Sequence, residues 1–103
     1  MECISAFDLC AEDYDRWYCE EPGSLIFESE VKAIETLIPK GLGIEVGVGS
    51  GVFSSRLGVP LGLDPALNML KLSKKKGVDV IRGTAQSMPI RNESLDYVLL
   101  VFT

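Results

Sequence analysis

The residues best suited to chemistry are a run of alternating glycines and two acids near it. The segment from Gly43 to Gly51 reads Gly-Ile-Glu-Val-Gly-Val-Gly-Ser-Gly, an apolar run that carries Glu45 and then breaks into glycines. Thirteen residues after Gly51, Asp64 ends a second short apolar run. Glycines let the backbone approach a ligand closely, and an acid after the next strand can bind ribose hydroxyls. These residues therefore predict a crevice for a ligand that contains adenosine.

The spacing of the glycines separates two kinds of nucleotide site. A dinucleotide site of the Gly-x-Gly-x-x-Gly type needs its third glycine at position 52, where this chain has Val52. The chain instead has Gly47, Gly49 and Gly51, preceded by Glu45. This spacing disfavours a nicotinamide-dependent (NAD) oxidoreductase, which is kept as an alternative.

The order of the motifs along the chain gives a family resemblance. After the glycine run and Asp64 come the segments 83–90, Gly-Thr-Ala-Gln-Ser-Met-Pro-Ile, and 94–98, Ser-Leu-Asp-Tyr-Val. The series resembles the class I S-adenosylmethionine (SAM)-dependent methyltransferases, in particular the small-molecule enzymes grouped with ubiquinone and menaquinone biosynthesis. The resemblance runs from Tyr14 to Thr103. It implies SAM as the cofactor and direct transfer of its methyl group to a small-molecule acceptor.

The resemblance also implies roles for the residues of the crevice. Glu45, where the family more often has Asp, orders the methionine end of SAM, and Asp64 binds the ribose. The three glycines that line the cofactor are Gly47, Gly49 and Gly51. Each role has a structural alternative: Glu45 could pair with a nearby cation, Asp64 could only cap the following helix, and the glycines could only form a turn.

Further cofactor contacts are implied outside the crevice. Thr84 and Ala85 lie in the segment that reads adenine, and Thr84 stands where many relatives have Asp; an ordinary polar loop is the alternative. Tyr14 and Trp17 match a Tyr-Asp-x-Trp segment that lies over the cofactor, although core packing explains Trp17 equally well. Asp96 is expected to fix a loop. The chain has no histidine, so the commonest general base and metal ligand are missing, and neither a catalytic residue nor a metal site is predicted.

Composition narrows the class of protein. The 103 residues suit a single domain, and a net charge of −5 with a pI near 4.6 argues against a nucleic-acid partner. No apolar stretch approaches the ~20 residues of a membrane span, and no signal peptide is visible. The three cysteines have neither zinc nor redox-motif spacing, so reduced thiols and a cytoplasmic location are expected. They are Cys3, Cys10 and Cys19.

The elements that must position these residues alternate between strands and helices. This alternation predicts an α/β, Rossmann-like, doubly wound parallel sheet with N-terminal helices. We expect one domain over residues 1–103, with a helical segment at 1–40 and a β-α-β core at 41–103. Helices are predicted over 6–19, 24–38, 52–57 and 65–76, with Ser24 capping the second and Pro65 opening the last. Strands are predicted over 43–48, 59–63, 78–81 and 95–102.

The predicted sheet stops after about four strands. Class I methyltransferases carry three further strands and most of their acceptor contacts beyond this point, so the resemblance covers an N-terminal half. We expect the isolated chain to bind SAM weakly, to transfer no methyl group and to self-associate through strand 95–102. The alternative is a non-catalytic SAM- or nucleotide-binding module that needs a partner chain.

Overall fold

The computed structural model describes residues 16–86 and 94–101 of the chain. Helix α1 leads into four strands, and helices α2 and α3 connect the first three of them. The helices are α1 (Gly23–Glu35), α2 (Val52–Leu57) and α3 (Leu67–Lys75). The strands are β1 (Gly43–Val46), β2 (Leu61–Asp64), β3 (Asp79–Arg82) and β4 (Tyr97–Leu99). The order of elements is the predicted one.

The four strands form one parallel sheet in the order β3-β2-β1-β4. Ile44 of β1 lies opposite Leu61 of β2 on one side and Val98 of β4 on the other. The prediction of a Rossmann-like parallel sheet, with the fourth strand beside the first, is confirmed. Because the strands are parallel, their carboxyl ends meet at one edge, where such sheets bind ligands.

The core lies on both faces of β1 and β2. All four residues of β1 are buried, and β1 pairs with β2 on one side and with β4 on the other. Helices α2 and α3 lie on the same face of the sheet, the face that carries Glu45, because both crossovers step in the same direction. There α3 buries Met69 and Leu70, and Phe27 of α1 packs against Phe53 of α2 with ring centroids 5.0 Å apart. A salt bridge from Arg56 to Glu28 also joins α2 to α1. The helix between β1 and β2 is therefore held close to the end of β1.

Two predicted helix starts are wrong. Helix α1 begins at Gly23, one residue before the predicted cap Ser24, and no side chain caps it. Helix α3 begins at Leu67, so Pro65 lies outside it. Strand β4 is shorter than predicted, and the predicted helix over 6–19 lies mostly outside the described residues.

Candidate functional site

The glycine run forms a turn in which three residues have left-handed backbone. Gly47, Gly49 and Gly51 have φ angles of 76°, 58° and 83°, a region that residues with side chains adopt only rarely. The amide of Gly47 donates to the carbonyl of Leu63 at 2.8 Å, which ties the start of the turn to β2. The alternating glycines are therefore required by the backbone, whatever the turn binds.

Helix α3 holds the turn from the other side. Ser73 Oγ donates to the carbonyl of Gly49 at 2.7 Å, and Lys76 Nζ donates to the carbonyl of Ser50 at 3.0 Å. A β-carbon on Gly51 would lie 2.6 Å from Ser73 Oγ and 2.9 Å from Ser73 Cα. Gly51 thus allows α3 to pack directly against the turn, a role that the sequence does not reveal.

Asp64 connects the turn to the ends of β2 and β3. Its Oδ2 accepts from the amide of Gly49 at 3.0 Å, and its Oδ1 accepts from the amide of Ala66 at 2.9 Å. Its own carbonyl accepts from the amide of Gly83 at 3.3 Å. The Asp64 carboxylate therefore fixes the backbone just before α3 and also faces the glycine turn. Each of its oxygens has remaining capacity to accept a hydrogen bond from a ligand.

Glu45 is a buried acid beside the same turn. Its side chain is 2% exposed, and its Oε1 accepts from Ser54 Oγ at 2.6 Å. Burial raises the pKa of Glu45 to about 7, the Asp64 charge adds to the rise, and hydrogen bonds from Ser54 oppose it. Among residues 16–86 and 94–101 the hydrogen-bond partner of Glu45 is a hydroxyl rather than a cation.

The other residues predicted to contact the cofactor lie on segments before β1 and after β3. Thr84 and Ala85 follow β3 just after Gly83, so backbone hydrogen bonding brings their segment to the end of β2, and both are exposed. Trp17 is 47% exposed and makes an edge-to-face contact with Tyr18. The alternative prediction, that Trp17 packs in the core, is therefore wrong. Tyr14 lies outside the described residues.

Asp96 has the structural role expected of it. Its Oδ2 accepts from the amide of Leu42 at 2.7 Å, which fixes the loop before β1 against the start of β4. This end of the sheet is opposite the glycine turn.

Sequence reasoning missed the residues that hold the site. They are Ser50, Ser54, Ser73 and Lys76. Ser73 had a detectable signal, because it repeats the buried positions Met69 and Leu70 at helical spacing and is a polar residue on an apolar face. Ser54 had a weaker signal: the first turn of a helix that follows a strand lies near the end of that strand, which places Ser54 near the end of β1.

The chemistry of the cluster fits a cationic nucleoside. Two carboxylates, Glu45 and Asp64, lie beside the turn, and the charge of Asp64 raises the pKa of Glu45. Ser50 Oγ in the turn is buried and lacks a hydrogen-bond partner among the described residues. SAM carries a sulfonium, an ammonium and ribose hydroxyls, so it would bring positive charge and hydrogen-bond donors to this cluster. Glu45, Asp64 and Ser50 therefore fit SAM.

The sheet order, the glycine turn after β1 and the acid at the end of β2 define a nucleotide-binding α/β domain. Comparison with known proteins narrows this class. Residues 44–103 match the family model for a methyltransferase domain. A solved structure of a SAM-dependent methyltransferase from Thermotoga maritima, described as a possible histamine N-methyltransferase, is 36% identical. It aligns with a TM-score of 0.88 over 94% of this chain and 46% of its own.

Two curated relatives extend the comparison. An uncharacterised protein of Methanocaldococcus jannaschii is 36% identical over 97 residues, which are 94% of this chain and 46% of the relative. An uncharacterised protein of Mycobacterium tuberculosis strain H37Rv is 35% identical over 108 residues, which are 100% of this chain and 37% of the relative. The chain therefore spans half or less of the length of these relatives.

The chain belongs to the methyltransferase domain family, since the family model matches more than half of it. The resemblance to class I SAM-dependent methyltransferases is confirmed, and the family implies SAM as the cofactor. Among the residues that the structure describes, no helix has the length and apolar character needed to cross a membrane.

Proposed function

We propose that this chain binds SAM and forms the cofactor half of a methyltransferase that acts on a small-molecule acceptor. The observation that carries the proposal is the pair of acids, Glu45 and Asp64, beside a glycine turn at the carboxyl edge of the sheet. A buried carboxylate without a cationic partner is costly, and a cationic ligand reduces that cost. The family match and the Thermotoga maritima structure support the same cofactor.

In this proposal each residue of the site binds a different part of SAM. Glu45 takes the ammonium of the methionine end, and Asp64 takes the ribose hydroxyls with the lone pairs that its two backbone partners leave free. Gly47, Gly49 and Gly51 keep the turn free of side chains. Thr84 and Ala85, at the end of β3, receive the adenine, where the Thr84 hydroxyl replaces the more usual acid. Tyr14 and Trp17 cover the cofactor.

Methyl transfer needs few catalytic groups from these side chains, because the methyl group of SAM is already activated. Bound SAM supplies an activated methyl group: a nucleophilic O, N, C or S atom of the acceptor bonds to the methyl carbon while the C–S bond breaks and sulfur keeps the electron pair. The acceptor atom then loses its proton to solvent or to a base. The contribution of this chain is to hold one reactant in place and to exclude water from one side of it. None of its residues is assigned as the base.

The acceptor site is proposed to lie outside the described residues. The relatives are about twice the length of the matched region, and β4 is the last strand of the sheet on its side among residues 16–86 and 94–101. We expect the isolated 103-residue chain to bind SAM without transferring its methyl group. The charge of −5 supports small-molecule rather than nucleic-acid partners, and a cytoplasmic location is proposed with it.

Calorimetric titration with SAM, S-adenosylhomocysteine and NAD tests the cofactor. If the chain binds SAM and S-adenosylhomocysteine but not NAD, the proposal is supported. If it binds only NAD, the oxidoreductase alternative is favoured. Transfer of radiolabelled methyl groups to a panel of small acceptors separates an enzyme from a non-catalytic binding module. Histamine belongs in that panel because the similar Thermotoga maritima protein is described as a possible histamine N-methyltransferase.

A further inference from the structure

Ser54 is placed to act on the buried acid of the site. It is the third residue of α2 and is 1% exposed, with its Oγ 2.6 Å from Glu45 Oε1. The backbone of Ser54, like its side chain, lowers the pKa of Glu45.

We propose that Ser54 is a positioning residue of the cofactor site, which holds the Glu45 carboxylate in place and in its charged form for the cationic methionine end of the ligand. The inference deepens the proposed function and rests on it. Ser54 acts through Glu45, so its effect is strongest where the protonation of Glu45 limits binding.

The groups around Glu45 show why Ser54 matters. On β2, Asp64 carries a like charge that raises the pKa of Glu45. On β4, the residue opposite Glu45 is the uncharged Leu99. On α2, Arg56 is 48% exposed and bonds Glu28 of α1. Ser54 therefore supplies the hydrogen bonds that lower the pKa of Glu45, against a larger rise from burial.

The first test measures Glu45 without any ligand. Carbon-13 NMR of the glutamate side-chain carboxyl groups follows the titration of Glu45 in the wild type, where the midpoint is expected near its pKa of about 7. In Ser54→Ala the midpoint should move up to about 8, because a carboxylate that loses one hydrogen bond to its charged form shifts by roughly one unit. Glu45→Gln identifies the resonance by removing it.

Control variants separate this role from a structural one. Ser55→Ala makes the same change one residue further along α2, at an exposed hydroxyl that donates to the carbonyl of Val52 rather than to Glu45. It should leave the titration of Glu45 unchanged. Ser54→Thr, which keeps the hydroxyl, should titrate like the wild type. If Ser54→Ala does not fold, Ser54→Cys replaces the hydroxyl with a weak donor and carries the same test.

The second test measures SAM affinity against pH. If only charged Glu45 binds, the Kd of Ser54→Ala relative to wild type should fall from about ninefold at pH 6 to about 1.3-fold at pH 8.5. Taking the ratio at each pH cancels the titration of the ligand amine. A purely structural loss would weaken binding by the same factor at every pH.

The outcomes separate the two claims. A ratio that does not change with pH, or an unchanged Glu45 titration in Ser54→Ala, overturns the role of Ser54 alone. A wild-type chain that binds no SAM at any pH overturns the proposed function, while the NMR titration still reports whether Ser54 holds the Glu45 charge.

Discussion

Replacing Asp64 with alanine tests the crevice most directly. In the structure each oxygen of this carboxylate already accepts one backbone amide, from Gly49 and from Ala66. The ribose hydroxyls are proposed to donate to the same oxygens, and hydrogen bonds to a charged group contribute ~1.5–3 kcal/mol. Asp64→Ala should therefore weaken SAM binding by roughly 10- to 150-fold, since each 1.4 kcal/mol is a factor of ten.

The same change should also reduce stability, because two backbone amides lose their acceptor. Asp64 is half-buried, so water can replace part of what is lost, and we expect a loss of about 1–2 kcal/mol. Calorimetry with SAM and thermal unfolding on the same samples separate the two effects. Asp79→Ala is the matched control, because it removes an exposed aspartate at the amino end of β3, away from the turn. Wild-type affinity in Asp64→Ala, with a lowered melting temperature, would show that Asp64 only fixes the turn.

Three further predictions follow from the same geometry. Because folding raises the pKa of Glu45 from 4.5 to about 7, its neutral form favours the fold. Wild-type stability should therefore fall by about 2.5 kcal/mol relative to Glu45→Gln as pH rises from 5 to 8 in urea unfolding, and a constant difference would contradict this. Gly49→Val should abolish SAM binding in calorimetry, because Gly49 has a φ of 58° that branched residues avoid; full binding would exclude the turn from the site. Val98→Lys should turn a self-associating chain into a monomer in size-exclusion chromatography with light scattering, since Val98 is 51% exposed on the open edge strand β4. Leu37→Lys, at an apolar residue 80% exposed outside the strands, is its control, and an equal effect there would exclude β4.

The sequence was sufficient for the order of elements and for the sheet. Short apolar runs separated by helical patterns and glycines predict parallel strands, because a parallel sheet buries both faces of its central strands. The prediction failed at the ends of helices, where local signals compete. Pro65 suits a first helical position, but the Asp64 carboxylate accepts a hydrogen bond from the amide of Ala66, and the helix begins only at Leu67.

The sequence by itself determined which residues could form the site: the left-handed glycines, the acid on β1 and the acid at the end of β2. These follow from local rules, since backbone angle and strand position depend on residues near in sequence. Only the tertiary structure decided how the site is held. Ser54 reaches Glu45 across nine residues, and Ser73 reaches Gly49 across 24, because packing brings helices against the turn. The raised pKa of Glu45 arises in the same way, from burial that exists only once the sheet and helices have assembled.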